Sequence, residues 1–139
     1  MRLDDFISFK QALITCFGGI FIFLFGAWDI MFQVLVVFVV LDYITGVMKG
    51  YVTGELSSKT GFKGIIKKMA TIATVIVAVL IDRIMNVNCL RTATIFCLIG
   101  NEGISLLENF SSLGVPIPIK LMEALKQLRN KGDINSDEK

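Results

Sequence analysis

Four apolar runs, each about as long as a lipid bilayer is thick, dominate this 139-residue chain. They are Gln11–Trp28, Ile30–Met48, Ile65–Met85 and Leu90–Phe110. A hydrocarbon core of about 30 Å takes roughly 20 helical residues to cross. Unpaired backbone groups find no water there, so strands and open sheet edges are excluded and each run is forced into a helix. Composition agrees: 54% of residues are hydrophobic and 19% charged, against about 25% charged in an ordinary soluble domain. The fold class expected is all-α, a polytopic membrane helix bundle.

Only Asp29 divides the first two runs. One unbroken helix from Gln11 to Leu41 would be roughly 46 Å long and overshoot the bilayer by about half. A tight hairpin at Gly26-Ala27-Trp28-Asp29 resolves the mismatch, with Trp28 at the lipid–water interface. Four spans are therefore expected. Three remain the alternative, with one span near Ile20–Leu41 preceded by an interfacial helix. Arg2 and Lys10 are offset by Asp4 and Asp5, so the positive start of a cleavable leader is missing. Leu13-Ile14-Thr15-Cys16 has the outline of a lipoprotein box, but Thr15 suits it poorly, and the first run is kept in the mature chain.

Lysine placement sets the orientation. Lys49, Lys59, Lys63, Lys67 and Lys68 cluster between the second and third runs against Glu55 alone, and Lys120, Lys126, Arg129 and Lys131 follow the fourth. Positive segments stay cytoplasmic, so the loop 49–64 and both termini are expected inside. Pro116 and Pro118 end the fourth helix, closing a membrane-embedded region 1–115. Ile117, Leu121, Leu125 and Leu128 then recur at helical spacing. They predict a short cytoplasmic amphipathic helix over 116–131, lying on the inner leaflet or on the protein surface. Residues 132–139 read as a disordered tail.

Two carboxylates sit where a membrane rarely admits them. Asp42 lies in VVFVVLDYITG and Glu102 in IFCLIGNEGISLLEN; each costs about 2.5–3.5 kcal/mol at a bilayer centre unless it faces protein or water. Both fall roughly 10–12 Å above the expected inner boundary. Three arrangements suit them: sharing a proton, pairing with Lys67 or Lys68, or lining a wet path; alternatively they are neutral helix glue. Asn101, Ser105, Glu108 and Ser112 form a polar stripe on the fourth helix, with Asn109 alongside and the lower end of the stripe outside the bilayer in the plainer reading. Asp42, Asn101, Glu102, Ser105 and Glu108 are the intramembrane pore or helix-contact candidates. Helix-packing candidates are Gly46 and Gly50 on the second helix and Ala70, Thr74 and Ala78 on the third.

Other chemistries recede. The chain has no histidine, which removes His-based triads and His–metal sites, and its net charge of +2 implies no nucleic-acid partner. Cys16, Cys89 and Cys97 form no CxxC pair. No serine has an evident base at useful spacing, so neither an enzyme nor a cofactor is expected.

Asp42-Tyr43-Ile44-Thr45-Gly46, Leu56-Ser57-Ser58 and Gly61-Phe62-Lys63-Gly64-Ile65-Ile66-Lys67-Lys68 occur in that order, followed by Asn101-Glu102-Gly103-Ile104-Ser105, Glu108-Asn109 and Leu113-Gly114-Val115-Pro116-Ile117-Pro118. With Phe25-Gly26-Ala27-Trp28-Asp29 ahead of it, the ordered set resembles the toxin-secretion/phage-lysis holin family of Gram-positive systems, from about Leu24 to Leu128. The resemblance implies a small multi-pass protein of the bacterial host's cytoplasmic membrane that homo-oligomerises and opens a timed lesion. An endolysin or a toxin is then the functional partner, without necessarily touching it. It carries over no residue-level active site. A regulatory antiholin and a small ion or solute channel or transporter are the competing readings.

Overall fold

The computed structural model describes residues 3–137, with side-chain surroundings for residues 6–132. Arg2 and the last two residues of the expected tail lie outside the described residues. Five helices follow one another: α1 (Leu3–Phe25), α2 (Ile30–Val52), α3 (Ser58–Met85), α4 (Leu90–Ser112) and α5 (Ile119–Asp137). The first four coincide with the four apolar runs, and the described residues contain no strand. Among the described residues, three helices are long and apolar enough to cross a membrane: Phe6–Phe25, Ile30–Val52 and Ser58–Met85. α4 joins them as a more polar fourth member of the bundle, packed on α2 and α3.

The α1–α2 hairpin turns where expected. Gly26 adopts φ +81°, a left-handed conformation that a side chain disfavours. Asp29 then caps α2, its carboxylate accepting from the Phe32 amide at 2.9 Å, which satisfies one of the orphan donors of a helix start. Phe21, Phe25, Trp28 and Phe32 pack around this turn with ring centroids 4.8–5.8 Å apart. Arg83 of α3 adds a hydrogen bond to the Ile22 carbonyl at 3.3 Å and stacks over Phe23, while further toward the N-terminus Ile14 and Phe17 are exposed. The core is built by the other helices: Phe32, Leu35 and Val39 from α2, Val75 and Val79 from α3, Ile95 and Ile99 from α4.

The expected loop 49–64 contracts to residues 53–57. α2 continues to Val52, and the Ser57 hydroxyl accepts from the Thr60 amide at 3.1 Å to start α3. At the other end α3 stops on Asn86, in the left-handed region at φ 54°.

α5 differs most from expectation. It starts at Ile119 rather than 116 and runs past 131 into the expected tail, to Asp137. It folds back antiparallel along α4, with Lys120, Glu123 and Lys126 exposed on its outward face. The contact is seated on glycines. A Cβ built on Gly100 would lie 2.6 Å from the Arg129 backbone, and one on Gly132 would lie 2.6 Å from the Ala93 carbonyl oxygen. One on Gly103 would lie 2.7 Å from Leu125, which is buried. Missing side chains let two helix backbones approach closely, and the helix continues to Asp137. The contact carries Gly132 level with Ala93 and Cys97 near the start of α4. The end of α5 therefore sits at the far end of α4 from the α4–α5 turn.

Candidate functional site

α2, α3 and α4 converge on one buried ion cluster. Asp42 and Glu102 are 6% and 5% exposed, and the Lys68 ammonium donates to Asp42 Oδ2 and to Glu102 Oε2. Of the three arrangements open to the carboxylates, pairing with Lys68 is the one adopted. Because one ammonium reaches both, they are level, as their distances from the helix ends require. Asn109 completes the α2–α4 side: its Nδ2 donates to Asp42 Oδ1 at 3.0 Å and to Thr45 Oγ1 at 3.2 Å. On the α3–α4 side the Thr71 hydroxyl lies 3.4 Å from Glu102 Oε1 and donates to the Lys67 carbonyl at 3.1 Å.

Helix periodicity explains the convergence. Asp42 and Thr45 are three apart on α2, Lys68 and Thr71 three apart on α3, and Glu102 and Asn109 seven apart on α4. Each set occupies one helix face. Asn109 packs beside Gly46, its Nδ2 3.7 Å from where a Cβ would lie, an ordinary contact. Tyr43 rests against Gly64, where a Cβ would be 3.4 Å from its ring. Buried charges are tolerated only when paired and hydrogen-bonded, and here two carboxylates and one ammonium tie three helices together.

The remaining candidates are distributed differently. Asn101 and Glu108 are exposed and Ser105 is half-buried, so the stripe on α4 flanks the cluster rather than entering it. Gly50 faces Leu56 in the short loop. Of the small-residue set on α3, Ala78 is buried while Ala70 and Thr74 are exposed. Lys59, Lys63 and Lys67 are exposed and Lys49 half-buried. Lys68 leaves this topology group to become the centre of the site. Asn109, Thr45 and Thr71 were not singled out for it, although the i, i+3 and i, i+7 spacing from Asp42, Lys68 and Glu102 was the available signal. The small residues that make the closest helix approach, Gly100, Gly103 and Gly132, were likewise missed.

A second polar knot closes the opposite end of the bundle. Arg91 of α4 clamps the α1–α2 turn, donating to Asp29 Oδ2 at 2.6 Å, Phe25 O at 2.7 Å and Ala27 O at 3.0 Å. This hydrogen bond from Arg91 holds the Asp29 carboxyl below the ordinary aspartate range, outweighing its partial burial. Asp82, buried at the end of α3, accepts from the Leu90 and Arg91 amides at 3.0 and 2.9 Å. It supplies the cap that Cys89, the residue before α4, does not.

Comparison with known proteins points one way. The bacteriophage holin family matches residues 19–130. An uncharacterized 14.9 kDa protein of Clostridium perfringens is 46% identical over 131 residues, 93% of this chain and 99% of that protein. An uncharacterized protein of Listeria monocytogenes is 49% identical over 113 residues, 81% of this chain and 78% of that protein. A protein of Bacillus phage phi105 named as a probable holin is 37% identical over 112 residues, 80% of this chain and 82% of its own length. No solved structure matches.

Proposed function

This chain belongs to the bacteriophage holin family, and from that membership we propose that it acts as a holin, self-associating in a bacterial cytoplasmic membrane to open lesions that pass an endolysin. The observation that carries the reading is the match across four fifths of the chain to the probable holin of phage phi105. The family is one of non-enzymatic membrane proteins, and the three apolar helices suit a bilayer.

In this reading the short loop after α2 and the lysines beside it face the cytoplasm, and an even number of crossings before it puts the N-terminus there too. The ion cluster of Asp42, Lys68 and Glu102 keeps α2, α3 and α4 together during insertion and accumulation. α1, exposed along most of its length, is covered by lipid or by a second copy. Asp42, Lys68 and Glu102 hide their charge inside one chain, and assembly opens a water-filled path beside the polar flank of α4.

The test is inducible expression in a bacterium with and without a cytoplasmic endolysin that lacks an export signal, following optical density and membrane potential together. Abrupt depolarisation, with lysis only when the endolysin is present, is the expected result. Depolarisation without endolysin release indicates a small ion pathway instead. No effect at verified membrane levels overturns the stand-alone holin and favours a regulator of one.

A further inference from the structure

We propose that the groove between α2 and α3 is a phospholipid site, taking an acyl chain of a lipid whose anionic headgroup lies at the lysine-bearing end of these helices. The proposal goes beyond the holin reading and needs only the chain's place in a membrane. The groove has a volume of about 460 Å³, within the range of about 300–1,000 Å³ usual for small-molecule sites. Its walls are Val40 and Tyr43 of α2 with Ile65, Met69, Ile72 and Ile76 of α3. Both helices are among those long and apolar enough to cross a membrane. Val40, Ile65 and Met69 are exposed, so the groove opens on the outside of the bundle.

Its length fits one leaflet. From Ile65 to Ile76 α3 rises about 16 Å, half of a hydrocarbon core of about 30 Å. Ala73, a small side chain among larger ones in the wall, leaves width for a chain to lie there. The stem of Lys68 completes the floor, while its ammonium donates to Asp42 and Glu102 in the interior. The one charge in the wall is therefore committed elsewhere, and what remains for an occupant is an apolar surface. Long cationic side chains commonly divide in this way between an apolar stem and a polar head.

Charge selects the headgroup. The end of the groove at Tyr43 and Ile65 is the end at which α2 and α3 are joined. Lys49, Lys59, Lys63 and Lys67 surround it, and Glu55 is the one carboxylate of residues 49–64. The exposed lysines of α3 lie round the helix from Ile65 and not in the groove itself. They act on a headgroup through their field, which extends about 10 Å at 0.1 M salt. Lysines beside the inner end of a membrane helix attract anionic lipids in this manner. A chain laid along the Lys68 stem also keeps water from the ion cluster beneath it, so lipid and cluster support one another.

The test is photolabelling of the purified full chain in phosphatidylcholine vesicles containing a trace of phosphatidylglycerol with a diazirine midway along one acyl chain. Peptide mass spectrometry locates the labelled residues. Labelling is expected to concentrate on residues 39–43 and 65–76. Added unlabelled phosphatidylglycerol is expected to lower it by at least half, and the same amount of phosphatidylcholine to leave it unchanged. Ala73→Phe, which fills the groove, is expected to lose at least half of the labelling. Val77→Phe, exposed on α3 outside the groove, is expected to lose none. Wild-type labelling spread over α1, α2 and α3 in proportion to exposure overturns the site, as does equal displacement by phosphatidylcholine. A groove left unlabelled while Val77 is labelled is covered by protein and overturns it too. None of these outcomes bears on lesion formation, which the endolysin assay reads separately.

Discussion

Replacing Lys68 with methionine removes the one ammonium that holds Asp42 and Glu102 in place. The side chains of Lys68, Asp42 and Glu102 are only 13%, 8% and 7% exposed, so little water is available to replace the lost donor. Breaking a buried ion pair by deleting one partner costs about 3–5 kcal/mol, because a charge is left uncompensated. Here two carboxylates are left, level and facing each other. Asp42 keeps the Asn109 donor at 3.0 Å and Glu102 the Thr71 hydroxyl at 3.4 Å, which brings the expected loss to the lower part of that range, about 3 kcal/mol. That corresponds to a roughly hundredfold shift in the folding equilibrium. The assay is loss of helicity by circular dichroism as the purified protein in mild-detergent micelles is titrated with sodium dodecyl sulfate. The decisive comparison is the triple variant Asp42→Asn, Lys68→Met, Glu102→Gln, which removes the charge as a set while leaving acceptors for Asn109 and Thr71. Replacing a whole buried ion group is often close to neutral, so the triple variant is expected to recover at least half of the loss. A single variant as stable as wild type, or a triple variant no better than the single, refutes the coupled cluster.

Asp42→Leu and Glu102→Leu are each expected to insert normally but to delay or abolish lysis in the inducible endolysin assay; lysis of both variants on the normal schedule would make these carboxylates purely structural. At the opposite end of the bundle, the Asp29 carboxyl is held lower in the folded chain than in the unfolded one. Its contribution is therefore complete above the ordinary aspartate value of about 4 and is lost as pH falls through the folded value. Unfolding midpoints taken between neutral pH and about pH 2 should show this drop, and Asp29→Asn should flatten it while keeping the cap on Phe32, since Asn caps a helix about as well as Asp. Gly100→Val should push α5 off α4, overpacking a contact with about 1–3 kcal/mol at stake. Trypsin would then cut at Lys120, Lys126 and Lys131 while α1–α4 stay intact, and an unchanged digest would mean that the glycine seat is dispensable.

Much of the fold was open to sequence reasoning because a bilayer leaves a chain few choices. Run length alone located α1 to α4, and the length mismatch from Gln11 to Leu41 demanded the turn that Gly26 and Asp29 make. Element ends were less legible, since hydropathy says nothing about capping: α3 begins seven residues before the apolar run because the Ser57 hydroxyl starts it. The same reasoning did not show what α5 packs against. Its position is decided by a contact between two sequence-distant segments. Gly100 and Gly103 on α4 meet Leu125, Arg129 and Gly132 on α5, and neither set has meaning until the other is placed against it.

The site was legible by halves for a related reason. Asp42 and Glu102 stand out in isolation, because a carboxylate inside an apolar run has an energetic consequence that composition alone exposes. Their partner does not stand out, because Lys68 is one of five lysines clustered in the same stretch and reads as a topology signal with the rest. Neighbours along a helix are turned by about 100° from one another. Lys67 therefore stays exposed while Lys68 is directed between α2 and α4. The choice between them depends on the phase of α3, which its packing sets through Val75, Ala78 and Val79. Counting back from that buried face, Thr71 and Lys68 follow at four- and three-residue steps, the same side of the helix. The lysine that neutralises the interior was thus encoded in the register of the apolar face beside it, not in the charge cluster to which it belongs by sequence.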